Sequence, residues 1–172
     1  AAVLSAGGNS RVERKRGVGL PYAIVSGPGI TQVHGAGITA PSVESDPAVQ
    51  AREAFARMTG ILEREGLDYG DVVRQWNYIE DMLDLGSASG NGRQAYQAFN
   101  DVRSVTYGKS GFPAGYPAAT GIGQAAGGIV LEFIAVTGTA DVRVEPISNP
   151  RQVDAHRYSD GVLVGEPIEE VR

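Results

Sequence analysis

Glu132 is an acidic residue inside the most apolar run of the chain, Ile129-Val-Leu-Glu-Phe-Ile-Ala-Val. The run predicts a strand. An apolar environment disfavours a charged carboxylate, which suits a group that donates a proton as a general acid. The alternative is structural, since the faces of a strand alternate and Glu132 could simply point to solvent.

Arg74 and Tyr78 lie four residues apart in a second predicted strand and therefore share one face with Trp76. Arginine offers a cationic anchor, and tyrosine offers a hydroxyl donor. The structural alternative is a surface arginine beside a packed aromatic pair. Arg103 is predicted to lie on a helix, one turn after Phe99, where most arginines are solvated.

The segment from Tyr116 to Gly123 combines a proline with glycines and small residues. Proline restricts the backbone and glycine frees it, so that amide N–H groups can face an anion. Small side chains at Ala118, Ala119 and Gly121 would leave space for a ring. A purely structural loop is the alternative.

A helix is predicted from Asp46, its N-cap, to Gly66, because Pro47 suits the first helical position and the apolar residues that follow recur at helical spacing. The other predicted elements are strands over 22–27, 30–38, 72–82, 118–123 and 129–136, a helix over 93–107 and a possible strand over 142–147. This order predicts an α+β domain, with a mixed sheet and two helices packed on one face.

Composition excludes several classes of function. The 172 residues and 18.0 kDa suit one domain. The absence of cysteine excludes disulfides, thiolate metal sites and cysteine nucleophiles, and His34 and His156 are too few for a three-histidine site. A net charge of −5 argues against nucleic-acid binding.

The chain has no run of about 18 apolar residues, so no membrane span is predicted. Its first residues are apolar and then basic, the reverse of a signal peptide, and a cytoplasmic location is expected. The basic run Arg11-Val-Glu-Arg-Lys-Arg is predicted to be a solvated terminal segment, because Glu13 interrupts it.

Four segments resemble the YjgF/Rid superfamily, and above all the chorismatases, which look like Rid domains adapted to chorismate. The segments are Arg74-Gln-Trp-Asn-Tyr-Ile, Tyr96-Gln-Ala-Phe-Asn-Asp-Val-Arg, Gly115-Tyr-Pro-Ala-Ala-Thr-Gly-Ile-Gly and Asn149-Pro-Arg-Gln-Val-Asp-Ala-His-Arg-Tyr. The resemblance is closest to the C-terminal domain of chorismatases. It implies a Rid/chorismate-mutase-like domain over 21–148, between an N-terminal extension (1–20) and a tail (149–172), and a homotrimer with pockets at its interfaces.

The resemblance also implies a function, an enzyme of secondary metabolism acting on chorismate or a related enol-ether or cyclohexadiene carboxylate. General-acid protonation would be followed by hydrolysis or by elimination of pyruvate, without a cofactor or a metal. Glu132 and Tyr78 would be catalytic. The substrate-binding residues would be Arg74, Arg103, Tyr116, Ala118, Ala119, Thr120 and Gly121.

Two other functions stay open, a Rid-type enzyme with altered chemistry on an imine, an enamine or another small intermediate, and a catalytically silent Rid-fold binding protein. Imine-deaminating Rid proteins carry an arginine where this chain has Ala119, so deamination by that route is expected to be weak or absent. The expected partners are a small carboxylate and further copies of this chain, with no nucleic acid and no membrane.

Overall fold

The computed structural model describes residues 9–41, 46–84, 94–112, 116–140 and 142–145. The elements are β1 (Arg11–Gly17), β2 (Leu20–Gly27), β3 (Ile30–Thr39), α1 (Pro47–Arg64), a 3₁₀ turn (Tyr69–Asp71), β4 (Val72–Glu80), α2 (Ala95–Tyr107), β5 (Ala118–Gln124) and β6 (Ile129–Gly138). The strands form one sheet in the order β1-β2-β3-β6-β4-β5. Among the strands of the described residues, only β4 and β5 pair in parallel, so the sheet is mixed, as predicted.

Helix α1 starts at the predicted residues. The Asp46 carboxylate accepts hydrogen bonds from the amides of Ala48, at 2.7 Å, and Val49, at 3.4 Å. Gly66 follows the helix with a φ of +71°, a conformation that glycine adopts without steric cost. No helix in the described part of the chain is long and apolar enough to cross a membrane.

Both helices cover the same face of the sheet, which confirms the predicted α+β fold. In β6, Leu131 and Phe133 are buried beneath the helices, whereas Glu132 is half-buried on the opposite side. In β4, Gln75 and Asn77 face the helices and are fully buried. The face of the sheet away from α1 and α2 is called the open face below.

The basic run Arg11 to Arg16 has mostly exposed side chains, as predicted, but it is a strand of the sheet and not a separate terminal segment. It forms β1 at the edge of the sheet and pairs antiparallel with β2, from Arg11 opposite Ser26 to Gly17 opposite Leu20. Charged side chains are common on edge strands, where they discourage pairing with another chain. The strand lies within the residues predicted to form an N-terminal extension.

Two further boundaries differ from the sequence-based prediction. Strand β4 ends at Glu80 because Asp81 takes a positive φ of 46° and starts a turn. The possible strand over 142–147 is not a strand in its described part, 142–145. Residues 146 and 147, the tail from Asn149, His156 and Arg93 lie outside the described residues.

The end of α1 is tied to β1 and β2 through Glu65. Lys15 Nζ lies 3.0 Å from Glu65 Oε2, and the Tyr22 hydroxyl donates to Glu65 Oε1 at 2.5 Å. Burial alone would raise the pKa of Glu65, but the Tyr22 hydrogen bond and the charge of Lys15 outweigh it, so that its pKa is lowered. Burial and the neighbouring Glu65 raise the pKa of Tyr22 to about 12, so its hydroxyl remains a donor at neutral pH.

The contribution of Glu65 to stability should be lost in acid. A carboxylate whose pKa is lower in the folded state stabilises that state above its unfolded value and loses the effect as pH falls through the folded pKa. Glu65→Gln should therefore destabilise the protein at neutral pH, by up to about 1 kcal/mol, and make little difference well below pH 4.5, the ordinary value. Urea unfolding at both pH values measures this. The exposed neighbour Glu63 provides a matched control, Glu63→Gln, and an equal pH dependence in both variants would contradict the prediction.

Candidate functional site on the open face

A carboxylate and a tyrosine meet on the open face. Glu132 of β6 lies directly opposite Trp76 of β4, and the Tyr78 hydroxyl lies 3.5 Å from Glu132 Oε2. The antiparallel pairing of β4 with β6 causes this meeting, because neighbouring strands bring same-face side chains to within contact distance. The two residues predicted to be catalytic are thus neighbours, although they are far apart in the sequence.

Tyr78 serves this pair as a neutral donor. Desolvation by burial, and then the negative charge of Glu132 and the hydrogen bond to it, raise the pKa of Tyr78. A tyrosine with a raised pKa keeps its proton at physiological pH and can only donate toward the carboxylate. Tyr78 can therefore orient Glu132 but is a poor base.

Arg74 lies on the open face beside this pair. Its Nη2 donates to Thr120 Oγ1 at 2.5 Å, and its guanidinium carbon lies 4.8 Å from the centre of the Trp76 ring. Thr120 is the parallel neighbour of Trp76 in β5. One cation, one carboxylate and one phenol thus share a surface, an arrangement that can bind an acidic ligand and hold a proton donor next to it.

A bulge in β3 lies opposite Glu132. The β3–β6 register is interrupted between Gly35, which pairs with Phe133, and Ile38, which pairs with Leu131, so Ala36 and Gly37 oppose the single residue Glu132. Gly37 has a φ of +66°, and a Cβ there would meet nothing within 4 Å. Bulges interrupt the hydrogen-bond ladder and are frequent beside functional sites. Sequence reasoning did not assign these residues, although two glycines within a strand are a signal of a bulge.

The Tyr116 to Gly123 block is divided between the two sides of the sheet. Ala118 pairs with Arg74 and Thr120 with Trp76, which places both on the open face. Ala119 and Gly121 pair with buried Gln75 and Asn77 and face the helices instead. A Cβ on Gly121 would lie 3.0 Å from Met82 Cε and 3.3 Å from Tyr96 Cε2. Of the three small residues predicted to leave space for a ring, Ala118 therefore lies on the open face and Ala119 and Gly121 on the helix side.

Arg103 and Tyr116 belong to the helix side as well. The charge of Arg103 acts on Tyr107, whose hydroxyl donates to Gln75 Oε1 at 2.6 Å beneath the sheet. Tyr116 stacks on Tyr107 with ring centres 5.7 Å apart. Arg74 lies on the other face of β4, so the two arginines predicted to bind substrate lie on opposite sides of the sheet.

A groove of about 1000 Å³ between α1 and α2 lies away from the Glu132 pair. Phe55, Leu62 and Val102 form part of its lining, and the hydroxyls of Thr59 and Thr106 donate to carbonyls of their own helices. These hydroxyl protons are therefore engaged within the helices and do not point to a ligand in the groove. Within the described ranges, no three residues of the metal-ligating types come together. The groove is also lined by charged residues, among them Arg52, Glu63 and Asp101, so what distinguishes the open face is the contact between the Tyr78 hydroxyl and Glu132.

The comparison that decides the family is a match over residues 31–135 to the family model described as chorismatase FkbO/Hyg5-like, N-terminal. The chain belongs to the FkbO/Hyg5-like chorismatase family. The match confirms the predicted resemblance to chorismatases and includes both Arg74 and Glu132. The matching model describes the N-terminal region of the family, which corrects the prediction that the chain is closest to the C-terminal domain.

Two relatives from Streptomyces support the assignment to this chorismatase family. A 3-hydroxybenzoate synthase of Streptomyces hygroscopicus is 34% identical over 108 residues, which are 62% of this chain and 29% of that protein. A chorismatase of Streptomyces rapamycinicus is 37% identical over 102 residues, which are 58% of this chain and 29% of that protein. This family member thus spans less than a third of the length of the relatives it matches.

A solved structure shows that the fold is shared more widely. TdcF of E. coli with bound serine superposes with a TM-score of 0.52 at 20% identity, over 67% of this chain and 86% of that chain. At this identity the match shows the fold alone. The YjgF/Rid-type α+β fold expected of a chorismatase-like chain is confirmed by the sheet and its two helices.

Proposed function

We propose that this chain is a chorismatase-like enzyme of secondary metabolism that acts on chorismate or a related enol-ether or cyclohexadiene carboxylate. The observation that carries the proposal is the meeting of Glu132, Tyr78 and Arg74 on one face of a member of this family. The activities in the names of its relatives, chorismatase and 3-hydroxybenzoate synthase, are consistent with it.

In the proposed mechanism Arg74 binds a carboxylate of the substrate, and Glu132 acts in its protonated form as the general acid. Glu132 gives its proton to the methylene carbon of the enol ether, which leaves a cation on the carbon that bears the ether oxygen. In the hydrolytic reaction, water adds to this carbon and returns a proton to Glu132, and the adduct collapses to pyruvate and a ring alcohol. Tyr78 keeps the Glu132 carboxyl oriented throughout.

Chorismate carries two carboxylates, and Arg74 accounts for one of them. A buried carboxylate needs a charged partner or several N–H donors, so a second anchor is required. We propose that a homotrimer supplies it at the subunit interface. The half-buried residues Val25, Val130, Ile134 and Val136 form an apolar surface on the open face that a second copy would cover.

The trimer gives a direct prediction. The protein should sediment as a trimer at micromolar concentration, and Ile134→Glu should dissociate it because a charge would be buried in the interface. Val105→Glu is the matched control, since Val105 is 66% exposed on the helix side, and it should leave the trimer intact. A stable 18.0 kDa monomer of the parent protein would contradict the prediction.

Incubation with chorismate tests the proposed reaction. Release of pyruvate, followed with lactate dehydrogenase and by chromatography of the ring product, is the expected result. Binding of chorismate without turnover would instead favour a catalytically silent binding protein. The match to an N-terminal family region is a further reason to test this alternative. An imino acid generated in the same assay should be hydrolysed weakly, because Ala119 offers no cation. Failure to bind or consume chorismate would refute the proposal.

A further inference from the structure

The guanidinium of Arg74 is held from two directions. Thr120 Oγ1 accepts a hydrogen bond from Nη2 at 2.5 Å, and the Trp76 ring lies against the guanidinium at 4.8 Å. We propose that Trp76 and Thr120 are positioning residues, which act on the substrate through Arg74 and do not bind it themselves. The inference rests on the proposed function only in taking the ligand of Arg74 to be the substrate carboxylate.

The geometry favours this role for Thr120. Its hydroxyl oxygen is engaged by Arg74, and threonine is stiff at χ1, so the oxygen stays at a fixed place beside β4. Sequence reasoning counted Thr120 among the residues that touch substrate. The structure places its oxygen against Arg74, and a positioning role predicts that the loss on removing the hydroxyl passes through Arg74.

Trp76 provides the second contact of the Arg74 guanidinium, through the face of its ring. A cation over the face of an indole is attracted by the ring electrons, and tryptophan is the strongest side chain for this contact. Arginine is otherwise long and flexible, and ordering it on ligand binding opposes affinity. An Arg74 side chain that Trp76 and Thr120 already order loses little conformational entropy on binding. Its remaining N–H groups can donate to a carboxylate.

A double-mutant cycle on chorismate separates positioning from direct contact. Thr120→Val should weaken binding about fivefold in the parent protein, the usual effect of one hydrogen bond, and raise KM more than it lowers kcat. In an Arg74→Ala background the same substitution should have no further effect. Thr120→Ser should restore binding. An equal loss in both backgrounds would show that Thr120 binds the substrate directly and would overturn the proposal.

A second measurement needs no substrate, so it remains decisive even if the proposed reaction fails. Trp76 is the single tryptophan of the chain, and its emission reports on the contact with Arg74. Nitrogen-15 relaxation of the Arg74 side-chain Nε–H should show an ordered group in the free protein. Thr120→Val and Trp76→Leu should each make it mobile, and Thr120→Val should also shift the emission, whereas Trp76→Phe should retain part of the order.

The control for this measurement is Thr106→Val. Thr106 lies on α2 and donates to the Val102 carbonyl, on the helix side of the sheet. This variant should leave both the Arg74 relaxation and the Trp76 emission unchanged. An Arg74 side chain that is already mobile in the parent protein, or that stays ordered in Thr120→Val and Trp76→Leu, would overturn the assignment.

Discussion

Replacing Glu132 with glutamine should lower the turnover of chorismate by about 100- to 10,000-fold, the range that a positioned general acid contributes. Glutamine keeps the shape of the side chain and can still accept the Tyr78 hydrogen bond, but it has no proton to transfer. Substrate binding should therefore change little. Single-turnover measurements of pyruvate release, with binding followed separately by calorimetry, test both expectations.

Glu13→Gln provides the control, because Glu13 is an exposed carboxylate on the edge strand β1. It should leave turnover unchanged. Full activity in Glu132→Gln would remove Glu132 from the mechanism. A loss of binding as large as the loss of turnover would instead make Glu132 a binding or structural residue.

Much of the fold could be predicted from the sequence because the relevant signals are local. The Asp46 cap and the Pro47 start of α1 depend on a few neighbouring residues. The pairing of Glu132 with Tyr78 is different, since residues 54 positions apart meet only when β6 inserts between β3 and β4. The order of the strands in the sheet cannot be read from the spacing of residues within either strand.

Strand β4 shows why the faces of the sheet were hard to assign. Its helix side carries Gln75 and Asn77, which are 0% and 1% exposed, while Trp76 lies on the open face. The buried amides are satisfied by each other, at 2.5 Å, and by the Tyr107 hydroxyl. A hydrophobic pattern alone would place Trp76 beneath the helices and the two amides on the open face. Sequence reasoning could place Arg74, Trp76 and Tyr78 together but could not say which side the helices would cover.

The same difficulty explains why the two faces of β5 could not be assigned and why β1 was not predicted as a strand. Small residues occupy both faces of β5, so nothing in the sequence separates Thr120 from Ala119 and Gly121. In β1 the charged residues conceal the alternation of apolar and polar positions that is typical of a strand, because only Val12 and Gly17 interrupt the run of charged side chains. Such an edge strand is defined by the partner β2 that it pairs with, and the partner is known only from the fold.

Arg74→Ala and Arg103→Ala should differ sharply in their effect on binding. Removing Arg74 leaves a substrate carboxylate without its charged partner, and affinity for chorismate should fall by about 2–3 kcal/mol, roughly 30- to 150-fold by calorimetry.

Arg103 is the matched control for Arg74→Ala, an arginine of the same domain whose charge acts on Tyr107 across the sheet from Arg74. Arg103→Ala should change affinity by less than about twofold, in keeping with the small effect of most substitutions outside a contact. Thermal unfolding of both variants distinguishes a local loss from misfolding, which would lower affinity in each. Equal weakening in two well-folded variants would mean that α2 reaches the substrate after all, and that the ligand extends around the β5 edge to contact both sides of the sheet.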